Sequence, residues 1–146
     1  MESKHYYEVN LQWNSATQGT LSSPVIKNTI EVVTPPEFPK GIKEKWTPEH
    51  LFVAAVNSCL MSTFLLVADN SNCHFKQFDC KATGTIEKVD GQFSVTEILL
   101  QPHIIIPPTQ TESKVLKVLE MSEKACAIAH SIKTKITVEA IVEVGI

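Results

Sequence analysis

Apolar and polar positions alternate over "HYYEVNLQW", with Tyr7, Val9, Leu11 and Trp13 on one face and Tyr6, Glu8, Asn10 and Gln12 on the other. A period of two over that length predicts a half-buried strand. "NSATQGT" reads as a turn, a short strand is expected near Thr20–Ser23, and "VIKNTIEVV" is rich in β-branched residues. "TPPEFPKGIKEKW" then carries three prolines and a glycine. It predicts a loop long enough to suspect a functional role.

The period changes at Thr47-Pro48. Threonine suits an N-cap, proline the first helical position, and Glu49 the first turn, where the helix dipole favours negative charge. A helix is predicted to about Asp69, ended by "DNSN". Phe75–Val89 and Gln92–Ile106 read as two long strands joined at Asp90-Gly91, a strong hairpin signal. Thr109–Ala125 is predicted helical from Val115, Leu116, Leu119 and Ser122. "KITVEAIVEV" alternates again, placing Ile136, Val138, Ala140, Val142 and Val144 on one face. The order is three strands, helix, hairpin, helix, strand, which predicts an α+β fold with a mostly antiparallel sheet.

The helix from Leu51 to Ala68 is apolar nearly all round, whereas a helix lying on one sheet shows a polar face. It has to be covered on every side, and a partner subunit would cover what the sheet does not. Its length is borderline for crossing a membrane. Asn57, Ser58, Ser62 and Thr63 interrupt it, so a buried core helix is the preferred reading and no membrane partner is expected.

Composition narrows the picture only in places. The 146 residues fit one domain, 1–146, and 43% are apolar, enough for a core. A net charge of −3 without a basic cluster argues against nucleic acid. "MESKHYYEVN" lacks an apolar signal core, so a cytoplasmic protein is expected. All basic side chains apart from histidine are lysines; the sequence has no arginine.

Cys59, Cys73, Cys80 and Cys126 are the four cysteines, and none forms a C-x-x-C or C-x-x-H pair. Cys126 and His130 share a helical i, i+4 spacing, but without a second ligand pair no metal is expected. Cys73 and Cys80 both read as structural: Cys80 alternates with Phe78 and Ala82, and Cys73 follows the helix in a polar turn that could leave it exposed. Cys59 belongs to a stripe of small side chains made by the rows Ala54, Ser58, Ser62 and Ala55, Cys59, Thr63. It can be a small core residue, the commoner role of a free cysteine, or a thiol left approachable by its small neighbours.

"TPEHLFVAAVNSC" resembles the helix start and nucleophile motif of the OsmC/Ohr family, the osmotically inducible and organic-hydroperoxide-resistance proteins. "EKACAIAHSI" resembles its second cysteine motif, and "LQWNSATQGTLSS" and "GTIEKVDGQFSVTEI" are similar to its two hairpins. The resemblance implies an intertwined homodimer, with sheets wrapped around central helices and sites at the subunit interface. It implies thiol-dependent reduction of organic hydroperoxides without a cofactor. Cys59 would attack, Cys126 would resolve, Glu49 would be the site carboxylate, and a dithiol would be the reductant. An alternative on the same fold is a non-catalytic protein holding an apolar small molecule in the interface pocket. The family's peroxidases pair the glutamate and the thiolate with an arginine that this chain lacks. Lys43 and Lys45, with Lys40 as a third, are the nearest replacements.

The physical grounds are partly independent of the family. Ten residues of helix separate Glu49 from Cys59 by roughly 15 Å along the axis, so the two meet only if Glu49 comes from another subunit. A cysteine deep in a helix gains nothing from the N-terminal dipole, and burial raises its pKa. It therefore needs a cation or hydrogen-bond donors close by.

Overall fold

A computed structural model describes residues 3–145. The first two residues of "MESKHYYEVN" and the last of the 1–146 span lie outside the described residues. The chain forms two compact units that meet in sequence between Leu51 and Phe52.

The first unit is an antiparallel sheet of β1 (Asn10–Ser15), β2 (Gln18–Ser23) and β3 (Ile26–Val33), in that order. The first strand begins at Asn10, later than the alternation suggested, and every residue in it is exposed in the single chain. Trp13 is 72% exposed, so the face read as half-buried is open. The loop after β3 turns back at Lys40 and Glu44, which both take positive φ. Gly41 is required there: a Cβ would lie 1.9 Å from the Pro35 carbonyl oxygen. The Thr17 hydroxyl donates to the Lys40 carbonyl (2.7 Å), and Trp46 returns to β3, where the Val33 amide donates to its carbonyl (2.9 Å).

Helix α1 (Pro48–Asn70) starts as the sequence predicts. The His50 amide donates to Thr47 Oγ1 (3.1 Å), the bond expected of an N-cap threonine. By length and composition α1 could cross a bilayer, with a mean hydropathy of 2.1. In this fold its Val56, Leu60, Phe64 and Ala68 row enters the core of the second unit. Phe52, Val53 and Val67 pack half-buried against that core, while Met61, Leu65 and Leu66 stay exposed, Leu66 at 62%. The helix ends with Asn72 in the left-handed conformation (φ 52°) and the Cys73 amide bonded to the Ala68 carbonyl at 2.8 Å. This termination folds the following residue back against the last turn. Cys73 is therefore buried, 5% exposed, which fits a structural role rather than the exposure its polar turn suggested.

In the second unit β4 (Gln77–Val89) and β5 (Gln92–Ile106) form the long hairpin. Asp90 (φ 50°) and Gly91 (φ 82°) both take the positive φ that a tight two-residue turn demands. Alternate residues of β5, Ile98, Leu100, Pro102, Ile104 and Ile106, are buried. Helix α1 comes close to β4 at Gly84, where a Cβ would sit 2.6 Å from Val53 Cγ2.

Helix α2 (Glu112–Ala125) starts later than expected, capped by Thr111. It buries Val115, Val118, Leu119 and Ser122; Val118 takes the place the sequence reading gave to Leu116, which is exposed. After the short α3 (Ala127–His130), the predicted final strand is divided into β6 (Lys135–Val138) and β7 (Ile141–Val144), both parallel to β5. The cause lies in β5. The Glu139 amide donates to the Leu100 carbonyl (2.8 Å), and a parallel ladder would next have the residue 102 amide donate to the Glu139 carbonyl. Residue 102 is proline and has no N–H. The register then resumes unchanged at His103 and Ile141.

Candidate active site

Cys59 sits midway along α1, in the row next to Val56 and Leu60, and is half-buried. Cys126 stands between α2 and α3, 3% exposed, with extended backbone (φ −71°, ψ 107°). That one non-helical residue breaks the helical run. The Cys126 amide turns to the Glu123 carbonyl (3.4 Å), and the amides of Ala127 and Ile128 are left as first-turn donors without partners in their own helix.

Those donors meet Cys59. Desolvation is the largest single influence on the Cys59 thiol and pushes its pKa up. The Cys126 S–H, the Ile128 amide, the Thr63 hydroxyl and the Ala127 amide all donate to the same sulfur, and together they bring its pKa below the ordinary thiol value. Cys126 moves the other way. Burial, its hydrogen bond to Cys59 and the nearby charge of Cys59 raise it, against opposing bonds from the Ala129 and Ile128 amides. The pair thus has a defined polarity: Cys59 gives up its proton more readily than Cys126. Both cysteines are free thiols, and each shifts the other's pKa through a side-chain hydrogen bond.

The other site residues fall in the first unit. The Glu49 side chain has a buried Oε1 that no donor among the described residues satisfies. Lys45 is engaged at the sheet, 2.9 Å from Glu31 Oε2 and 3.1 Å from Gln18 Oε1. Lys43 is exposed. His50 faces outward, with Nδ1 2.8 Å from Thr47 Oγ1 and its ring edge-on to Trp46. His130 Nε2 contacts the Lys124 carbonyl oxygen. Among the described residues no group of three or more His, Cys, Asp or Glu is placed to hold a metal ion.

A cavity of ≈ 120 Å³ adjoins Cys126, lined by Val56, Leu60, Leu100, Ile136, Val138 and Ala129 together with Glu123. Glu123 escaped the sequence reading, although its position one turn before Cys126 was visible. The amide donors of Ala127 and Ile128 were not visible at all, because any residue supplies an amide.

The family described as OsmC-like protein matches residues 41–140. No curated protein matches the chain at a significant level. Among solved structures, the chain resembles an OsmC-like protein of unknown function from Vibrio cholerae, with 23% identity, a TM-score of 0.86, and 94% of this chain and 100% of that one covered. It also resembles an OsmC-like protein from Mycoplasma pneumoniae (18% identity, TM-score 0.80, 95% and 98% covered). A third is an organic hydroperoxide resistance protein from Legionella pneumophila (16% identity, TM-score 0.74, 96% and 99% covered). At these identities the likeness concerns the fold, while the family match spans both cysteine motifs and Glu49. The chain belongs to the OsmC-like protein family.

Proposed function

We propose that this protein is a two-cysteine peroxidase acting on organic hydroperoxides. The observation that carries the reading is the Cys59 sulfur, held by four donors, one of which is the second thiol. The Cys59 thiolate attacks the outer oxygen of ROOH. The O–O bond breaks, Cys59 becomes a sulfenic acid, and the departing alkoxide takes a proton from water to leave as ROH. Cys126 then attacks the Cys59 sulfur, water leaves, and the disulfide forms. An external dithiol reduces that disulfide by exchange.

The donor set takes over the part an arginine would play. Hydrogen bonds to the charged form lower a pKa as a nearby cation does. The same donors face the negative charge that moves through the sulfur during attack. The apolar helix that carries Cys59 favours a substrate with a hydrocarbon part. Glu49 belongs to the same machinery in this reading, acting from a second copy of the chain, and its unsatisfied buried Oε1 is a natural place for a donor from that copy. Since Lys45 is held by Glu31, Lys43 or Lys40 would be the cation to serve it.

A cytoplasmic homodimer is part of the proposal. Open apolar faces at Tyr7, Val9, Leu11 and Trp13, and at Met61, Leu65 and Leu66, support it. The family match crosses the junction at Leu51 and Phe52, which supports reading both units as one domain, 1–146. Light scattering would return twice the 16.2 kDa chain mass.

The test is one equivalent of an organic hydroperoxide added to the reduced protein, followed by intact mass and peptide mapping. The expected result is a rapid loss of about two daltons that links Cys59 to Cys126. Thiols that stay reduced in folded protein would overturn the proposal. A second reading, retention of an apolar molecule without turnover, is favoured by the cavity beside Cys126. Voids of about 150 Å³ take a benzene-sized guest, so the occupant would be small. Native mass spectrometry of the purified protein would reveal it.

A further inference from the structure

Closure of the disulfide needs a step that neither cysteine performs. Cys126 must lose its proton to attack, yet its surroundings hold the proton on. The leaving oxygen of the sulfenic acid must gain one. A carboxylate that takes the first proton and returns it to the second oxygen balances both.

We infer that Glu123 is the acid–base partner of Cys126 during disulfide closure, because the two side chains line the same small cavity one helical turn apart. The inference rests on the peroxidase reading. The reaction is Cys126–SH + Cys59–SOH → Cys59–S–S–Cys126 + H₂O. The S–S bond forms as the S–O bond breaks, and the thiol proton passes through Glu123 to the departing oxygen. No oxidant beyond the hydroperoxide already consumed is needed.

The surroundings suit the task. The cavity has room for a water, so the carboxyl and the thiol can exchange a proton directly or through one. Burial, then the negative charge of Glu120 on the same helix, hold the Glu123 carboxyl above the ordinary carboxylate range. This brings it closer to neutrality, where a group that both accepts and donates works best. The other cavity walls carry no titratable side chain: α1 supplies Val56 and Leu60, β5 Leu100, α3 Ala129, and β6 Ile136 and Val138. Lys124, the nearest base on α2, pairs with Glu120 at 3.4 Å.

The experiment separates the two chemical steps. Reduced wild type, Glu123→Gln and Glu123→Asp receive cumene hydroperoxide. A dimedone-type trap reports sulfenic acid at Cys59, and mass spectrometry reports closure, across pH 5–9. Glu123→Gln is expected to form sulfenic acid at a rate within about twofold of wild type and to close about 10–100-fold more slowly at neutral pH. Its closure rate should lose the limb that rises as Glu123 ionises, and Glu123→Asp should restore part of both. Closure at the wild-type rate and pH profile would overturn the inference, as would equal slowing of both steps. A parallel series starts from the Cys59 methylthio adduct made with methyl methanethiosulfonate, from which Cys126 displaces methanethiol. If wild type forms no sulfenic acid but closes from this adduct, the peroxidase reading fails, and the Gln and Asp variants still decide the role of Glu123 there.

Discussion

Cys59 and Cys73 stand at the middle and just past the end of the same helix, and their thiols are driven in opposite directions. Both are pushed up by desolvation. Cys73 has a cation in range, Lys114, and its pKa still ends above the ordinary value. Cys80 has one amide bond, through Gln101, and is also raised. Cys59 has four donors and no cation among the groups that act on it, and it is lowered. Directed hydrogen bonds in number, rather than one distant charge, separate the lowered thiol from the raised ones. In the proposed peroxidase, two amides, a hydroxyl and a second thiol would stand in for the charged fork of an arginine.

Cysteine replacement tests that contrast most severely. Cys59→Ser should abolish hydroperoxide consumption in a dithiol-coupled assay, a fall of at least about 1,000-fold. Cys126→Ser should leave the first turnover intact but halt the cycle, with Cys59 advancing to sulfinic acid, a gain of about 32 Da on the Cys59 peptide. Cys73→Ser should instead act on stability. Burying a hydroxyl in the core that holds Phe64 and Ile106 should cost about 1–3 kcal/mol in urea melts, with turnover unchanged.

Thr63→Val probes a single donor while keeping the side-chain shape. The Cys59 thiolate, followed by absorbance near 240 nm, should titrate at higher pH, and attack on hydroperoxide should slow about tenfold at neutral pH. The sign follows from the direction of the shift. A lowered thiol pKa makes the rate rise at lower pH and then level off, and removing a donor moves that rise upward. Lys43→Gln should have the smallest effect, about two- to fivefold in turnover, because an exposed lysine contributes little to a thiolate held by local donors.

Much of the fold was legible in the chain. Thr47-Pro48 announced the helix start, Asp90-Gly91 the hairpin, and Gln92–Ile106 the long second strand. The misses share a physical cause, namely partners distant in sequence. Nothing in "KITVEAIVEV" betrays the break at Glu139, since the absent donor belongs to Pro102 in another strand. Trp13 reads as half-buried because alternation reports which face is apolar, not what covers it. In the site, the two thiols, the stripe around Cys59 and its need for donors could be read. The donors could not, because Ala127 and Ile128 act through groups common to every residue except proline. The polarity of the pair follows from the extended backbone at Cys126, a conformation that no pattern of side chains records.

That extended residue has an evolutionary consequence. An arginine is lost by one nucleotide change, and the reactivity it supports goes with it. Main-chain amides persist through every substitution that keeps the path of the chain, proline aside. The sequence around Ala127 and Ile128 is thus free to drift while the thiol stays primed, so searches that look for a conserved basic side chain will pass over proteins of this design.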